Sequence, residues 1–190
     1  MVLAAADPDS FSTLVRILAG GGVVIAPGDT MYGLIGIAPD AEDRLRQVKG
    51  RGEDKPFLQL IADPSWIRRI SDLPLPPRLA RFWPGPLTLV FPARGGGTAA
   101  LRVPDNRFLH DLLFSLGRPL YSTSVNRAGA PPLHSVEEMR RELGDAVDAI
   151  YDAGEQAPGA PSTLLDITRR PFAILREGVV LLQPEDLIEP

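Results

Sequence analysis

The chain contains no cysteine, only two lysines, Lys49 and Lys55, and only two histidines, His110 and His134. Without cysteine there is no disulfide, no thiolate zinc site and no thiol nucleophile, and the redox compartment is left open. Two histidines far apart in sequence also argue against a histidine-rich metal site. No apolar run approaches the ~18–20 residues of a membrane span. The start, Met1-Val2-Leu3-Ala4-Ala5-Ala6-Asp7, lacks the basic and apolar blocks of a signal peptide. These absences predict a cytoplasmic protein with no membrane partner. Three common signatures are missing as well: G-x-x-x-x-G-K-[ST], a G-x-G-x-x-G after a strand, and G-x-S-x-G. The net charge of −4 lacks the basic balance usual for binding long nucleic acid through its backbone.

What remains is a chain of 190 residues, 44% hydrophobic and 23% charged, long enough for one domain with a real core. Its basic residues are almost all arginine, 18 of 20, and both lysines fall in one glycine-punctuated segment, Lys49-Gly50-Arg51…Lys55. Paired acids such as Glu53-Asp54 and Glu137-Glu138 lie in polar segments and read as solvated surface.

Asp9 or Ser10 can cap a helix with Phe11, Leu14, Val15 and Leu18 on one face. Val23 to Ala26 reads as a buried strand ended by Pro27. Gly28 to Gly33 reads as a turn that opens a short helix. Asp40 can cap a helix to about Val48. Strands are predicted at 57–61, 87–91, 101–103, 120–123, 149–151, 163–167 and 172–175. Short helices are predicted at 64–70 and 77–82, and longer ones from about Asn106 to Leu116 and from the capping box Ser135…Glu138 to Gly144. The elements mix without a regular βαβ beat and without repeats. The prediction is one α/β domain over residues 1–190, with a twisted, mixed sheet.

Three groups carry chemistry. Pro27 to Gly33 follows a buried strand, where ligands of open α/β sheets sit, and it offers Thr30. It equally fits a tight turn set by backbone geometry. In Lys49-Gly50-Arg51, extended backbone puts an ammonium and a guanidinium on one side, a natural polyphosphate clamp. Favourable charge at a helix C-terminus explains Lys49 as easily, but not Lys55. Tyr121 to Gly129 is dense in hydroxyl and amide groups, with Ser122, Ser124 and Asn126 alternating to one side. Side-chain to backbone bonds within a turn would also account for it.

Taken in order, these groups resemble the YrdC-type threonylcarbamoyl-AMP synthase family. The resemblance runs through Ala26 to Leu34, Lys49-x-Arg51…Lys55-Pro56, Arg81 to Thr88, Leu101-Arg102-Val103-Pro104, Ser122-Thr123-Ser124-Val125-Asn126, Pro161 to Asp166 and Ile174 to Gly178. It covers about residues 10 to 180. It implies a twisted α/β sheet, mostly mixed or antiparallel, with flanking helices and a large, concave, positively lined cavity. The activity it implies joins ATP, L-threonine and bicarbonate into threonylcarbamoyl-adenylate and releases pyrophosphate, with Mg²⁺ accompanying ATP. A partner transferase then carries the group to tRNA.

By position, Lys49 and Arg51 should meet ATP phosphates and act in catalysis, with Thr98, Ser122, Asn126 and Arg176 as further nucleotide contacts. Thr30, Arg102, Ser124, Ser162 and Lys55 should hold threonine, Arg102 through its carboxylate. Gly28 stands where the family usually has Thr, and Val125 where Ala is more common. Asp29 is a candidate base with a structural alternative. Two other readings are an RNA-binding protein that uses the same basic cavity on tRNA or other RNA, and a paralogue acting on another small acceptor.

Overall fold

The structure, a computed structural model, describes residues 1–50, 52, 56–156 and 159–188. Its strands are β1 Val2–Ala4, β2 Val24–Ala26, β3 Gly33–Ile37, β4 Leu58–Leu60, β5 Leu87–Pro92, β6 Thr98–Arg102, β7 Leu120–Ser124, β8 Ala149–Asp152, β9 Thr163–Asp166 and β10 Ala173–Arg176. The helices are α1 Pro8–Ala19, α2 Glu42–Lys49, α3 Arg107–Leu116 and α4 Val136–Leu143, with short 3₁₀ helices at Pro64–Arg69, Pro77–Phe82 and Pro184–Leu187.

Local chemistry explains most boundaries. Asp7, rather than Asp9 or Ser10, caps α1 by accepting from the Asp9 N–H, because Pro8 takes the first helical position and needs no hydrogen bond there. Asp40 does not cap α2; it pairs with Arg118 instead, and Ala41 precedes the helix without a side-chain cap. Gly50, in the left-handed conformation, ends α2. Asn106 caps α3 and the Ser135–Glu138 box caps α4, both as the sequence indicates. No helix opens at Gly28–Gly33. That turn leads into β3, whose run Gly-Leu-Ile-Gly-Ile is buried on both sides and carries no alternation to announce it. β1, only three residues long, also went unread.

All ten strands join one mixed sheet in the order β1-β8-β2-β3-β7-β4-β6-β5-β9-β10. At the β8-β2-β3-β7 end, α2 and α4 bury Leu45, Met139 and Leu143 with Ile25, Leu34 and Ile150. Helices α1 and α3 pack Leu14, Leu18, Leu109 and Leu112 in the same core as Val24, Ile35 and Leu120. Each such fully buried side chain contributes about 1.5–3 kcal/mol. Toward β10 the strands alternate sharply. Leu89, Leu101 and Leu165 are paired in register and buried in the core. The residues between them, Thr88, Ala100, Arg102 and Leu164, turn to the other face and line a cleft.

Candidate active site

The cleft has a volume of about 790 Å³, within the range of small-molecule sites. Sheet register lays out its floor. Ser122, Leu58 and Ala100 are lateral partners on β7, β4 and β6. Thr88, Leu164 and Arg176 form a second row on β5, β9 and β10. The pairing of Leu89 with Leu101 places Arg102 next to Thr88 in that row. Four strands at ~4.8 Å spacing spread the row over roughly 14 Å. The rim is built from the Thr30–Tyr32 turn, the loop after β7 with Ala128, Gly129, Pro132 and His134, and the Gly159–Ser162 segment.

Two polar clusters stand in the cleft. The first centres on Lys49 at the end of α2, which is only 5% exposed. Its ammonium donates to the Ser124 carbonyl at 2.6 Å, to Ser124 Oγ at 3.1 Å, and to the Asn126 carbonyl and Oδ1. Ser124 Oγ donates to Asn126 Oδ1 at 2.7 Å, and Asn126 Nδ2 to the Ala130 carbonyl. The Ala128 N–H closes onto the Lys49 carbonyl at 2.7 Å. Lysine, serine and asparagine therefore form one unit although 75 residues separate Lys49 from Ser124.

The second cluster centres on Arg102 and Arg176. Arg102, 5% exposed, donates through Nη2 to Asp29 Oδ1 at 2.9 Å. Its Nε and Asp29 Oδ2 are buried without a partner, so the pair is single-pronged. Burial pushes the Arg102 pKa down, the Asp29 charge opposes this, and the Arg176 charge adds to it. Burial also lowers that of Arg176. Arg176 donates to the Ser162 carbonyl at 2.9 and 3.1 Å and to Ser162 Oγ at 3.1 Å, and that hydroxyl shares a 2.8 Å bond with Thr88.

Lys49, Arg102 and Arg176 all line the cleft, and among the described residues no Asp or Glu does. Among the described residues, an acidic protein thus lines its cleft with cations and no carboxylate, an environment suited to anions.

Of the residues expected from sequence, Thr30, Lys49, Arg102, Ser122, Ser124, Asn126, Ser162 and Arg176 meet in this cleft. Arg51 and Lys55 lie outside the described residues. Thr98 shares the face of Ala100 and Arg102 but sits exposed at the outer start of β6, beyond the lining. Arg176, expected as a nucleotide contact, lines the cleft and is joined to Ser162. Asp29 lies behind Arg102 and outside the lining, which fits a structural group and not a base in the cleft. Thr88, Met31, Leu58, Pro132, His134 and Leu164 were not anticipated. Thr88 could have been found, since it closes the Trp83-Pro84-Gly85-Pro86-Leu87-Thr88 block.

Gly28 has a local reason. A Cβ there would lie 2.3 Å from the Met31 carbonyl oxygen, and the Gly28 carbonyl accepts from Asn106 and Gln156 side chains. The segment opposite packs as closely, for a Cβ on Gly159 would lie 2.0 Å from the Thr30 carbonyl oxygen. Gly28→Thr, which installs the residue more usual in this turn, should therefore cost about 1–3 kcal/mol through overpacking. Thermal denaturation measures it; an unchanged midpoint would mean that the turn relaxes freely.

A family model named Sua5/YciO/YrdC, described as "Telomere recombination", matches residues 16–178. A putative threonylcarbamoyl-AMP synthase of Mycobacterium leprae is 36% identical over 92% of this chain and 87% of its own length. The threonylcarbamoyl-AMP synthase of Nitrosococcus oceani is 36% identical over 80% of this chain and 89% of its own. That of Pyrococcus abyssi is 33% identical over 89% of this chain, which spans 55% of its length. Among solved structures, P. abyssi Sua5 complexed with L-threonine superposes with a TM-score of 0.85 at 28% identity, over 94% of this chain and 57% of that one. E. coli YciO superposes with a TM-score of 0.80 at 26% identity, over 94% and 95%. With this fold, this cleft and these relatives, the chain belongs to the Sua5/YciO/YrdC family.

Proposed function

We infer that the chain is a threonylcarbamoyl-AMP synthase: it uses ATP, L-threonine and bicarbonate and releases pyrophosphate, in the service of threonylcarbamoyladenosine formation on tRNA. The observation that carries the reading is a cleft with two cationic clusters, one on Lys49, Ser124 and Asn126, the other on Arg102, Ser162 and Arg176, and with no carboxylate among its described lining residues. ATP and threonine each bring anionic groups, and two such clusters suit one of each.

The threonine amine attacks bicarbonate or dissolved CO₂ to give a carbamate; from bicarbonate water leaves, and from CO₂ a proton passes to solvent. A carbamate oxygen then attacks the α-phosphorus, forming the P–O bond as the bond to pyrophosphate breaks. Such transfer depends chiefly on positioning and on neutralising phosphate charge. Arg102 receives the threonine carboxylate, with Thr30 and Ser162 beside it. Lys49 and Arg51 neutralise the phosphates, and Ser124 serves the threonine or its carbamate. Arg176, tied to Ser162, stands where the two substrates meet.

Mg²⁺ enters as part of the MgATP substrate. Hard cations of this kind take oxygen ligands, which the phosphates of ATP and water would supply. The adenylate product is a mixed anhydride and needs a transferase to consume it. Among the described residues no helix is long and apolar enough to cross a membrane.

Purified protein should release pyrophosphate only when ATP, L-threonine and bicarbonate are all present, read by a coupled phosphate assay. Folded protein without threonine-dependent release would end this reading. Release with a different amino acid would point to the paralogue.

A further inference from the structure

Ser162 is held so closely that only its hydroxyl proton is left to be set. The Thr163 N–H donates to the Pro86 carbonyl at 3.0 Å, and the Val179 N–H to the Pro161 carbonyl at 3.1 Å. The Thr163 hydroxyl donates to the Val180 carbonyl at 2.8 Å and accepts from the Val180 N–H at 3.0 Å. Gly178 lies against the same segment, where a Cβ would stand 2.5 Å from the Ser162 carbonyl carbon. Arg176 holds the Ser162 carbonyl with two donors. The backbone is thus clamped from Pro161 to Thr163.

A hydroxyl has one proton to donate and two lone pairs to accept with. Ser162 Oγ accepts from Arg176 Nη2 at 3.1 Å, since a guanidinium can only donate, and lies 2.8 Å from Thr88 Oγ1. Thr88 is 2% exposed and Ser162 3%. Among the described residues, Ser162 Oγ is the one hydrogen-bond partner of the Thr88 hydroxyl. Were Ser162 to donate to Thr88, the buried Thr88 proton would be left without an acceptor, which is costly. With Thr88 donating instead, Thr88 and Arg176 fill both lone pairs of Ser162 Oγ. Its own proton is then free for the cleft that all three residues line. Thr88 also neighbours Arg102 in the floor row, so the hydroxyl pair and that guanidinium belong to one stretch of the cleft.

We propose that Thr88 is a positioning residue: it keeps the Ser162 hydroxyl turned as a donor toward an anionic oxygen of the threonine substrate. This rests on reading the Arg102 cluster as the threonine subsite. Thr88 acts without touching the substrate. Lone pairs committed in two of the three staggered directions about the Ser162 Cβ–Oγ bond leave the proton one direction. Valine, with the same shape and no proton to give, returns that choice to it.

A double-mutant cycle on Thr88→Val and Ser162→Ala tests this, with Thr88→Ser as the conservative control. Calorimetric titration gives the Kd for L-threonine, and steady-state pyrophosphate release gives the KM for ATP. Ser162→Ala should weaken threonine binding about tenfold, the scale of one hydrogen bond to a charged group. Thr88→Val should weaken it about threefold, as the proton regains its other two orientations. The double variant should stay near the roughly tenfold loss of Ser162→Ala and not reach the roughly thirtyfold loss of independent effects. Thr88→Ser should bind threonine like the wild type, since it keeps the donor. The KM for ATP should stay within about twofold throughout, because the nucleotide does not depend on this proton.

Folded Thr88→Val with wild-type affinity for threonine would overturn the proposal. Additive losses in the double variant would overturn it too, by making Thr88 a direct contact, and an equal rise in the KM for ATP would reduce Thr88 to scaffolding. Should Thr88→Val not fold, Thr88→Ala carries the same cycle. A wild type that binds threonine while Thr88→Val changes nothing sinks this proposal alone. A wild type that binds no threonine ends the threonine reading and the proposal together.

Discussion

Lys49→Met should lower pyrophosphate release by about 100-fold or more while leaving a folded protein, because removing one preorganised donor from a developing oxyanion costs about two to three powers of ten. The substitution keeps most of the apolar stem and deletes the ammonium. Stability should fall as well. The ammonium is nearly buried and serves acceptors on Ser124 and Asn126, and charged hydrogen bonds contribute about 1.5–3 kcal/mol each, with little return from water at a buried site. A net loss of about 2–3 kcal/mol corresponds to roughly 5–10 °C in the unfolding midpoint of a chain this size.

Activity is therefore measured well below that midpoint, with folding checked by circular dichroism. The loss should fall on ATP, with the threonine KM little changed. Arg51→Ala should behave similarly and Lys55→Ala should be milder. A folded Lys49→Met within threefold of wild type, or equal mild losses in all three, would place the phosphate clamp elsewhere.

Much of this was legible in the chain itself. Elements with caps or strong periodicity, such as α3 behind Asn106 and α4 behind the Ser135 box, could be read because their signals are local. β3 could not: a strand buried on both faces and holding two glycines has neither alternation nor β-branched density. The 3₁₀ helices at Pro64–Arg69 and Pro77–Phe82 kept their prolines at the start, where a missing N–H costs nothing.

At the site, Lys49 and the Ser124–Asn126 pair each stood out in the sequence, but nothing there pointed to their contact. Their union depends on β7 ending where α2 ends, a tertiary fact that no short-range pattern encodes. Likewise the bond between Arg176 and Ser162, which sets the second cluster, comes from the lateral register of β9 and β10. Gly28 looked like a departure in sequence; its reason, a carbonyl 2.3 Å from where a Cβ would stand, is visible only in three dimensions.

Arg102→Leu should remove threonine-dependent turnover and also destabilise the fold, and a second substitution should separate the two effects. The side chains of Arg102 and Asp29 are 6% and 4% exposed, so deleting the cation strands a buried carboxylate. Breaking such a pair costs about 3–5 kcal/mol, whereas neutralising both members costs far less. Asp29→Asn on top of Arg102→Leu should therefore recover most of the lost stability by thermal or urea unfolding.

The double variant should not recover turnover. The threonine carboxylate still lacks its guanidinium, and a loss of about 3 kcal/mol is roughly 100-fold in kcat/KM for threonine. The KM for ATP should stay within threefold, the mirror image of Lys49→Met, whose losses fall on ATP. Recovery of both stability and turnover in the double variant would mean that Arg102 only holds the turn at Asp29 in place. In that case Arg176, bonded to Ser162 and lacking an acidic partner among the described residues, would be the cation to test next against the substrate carboxylate.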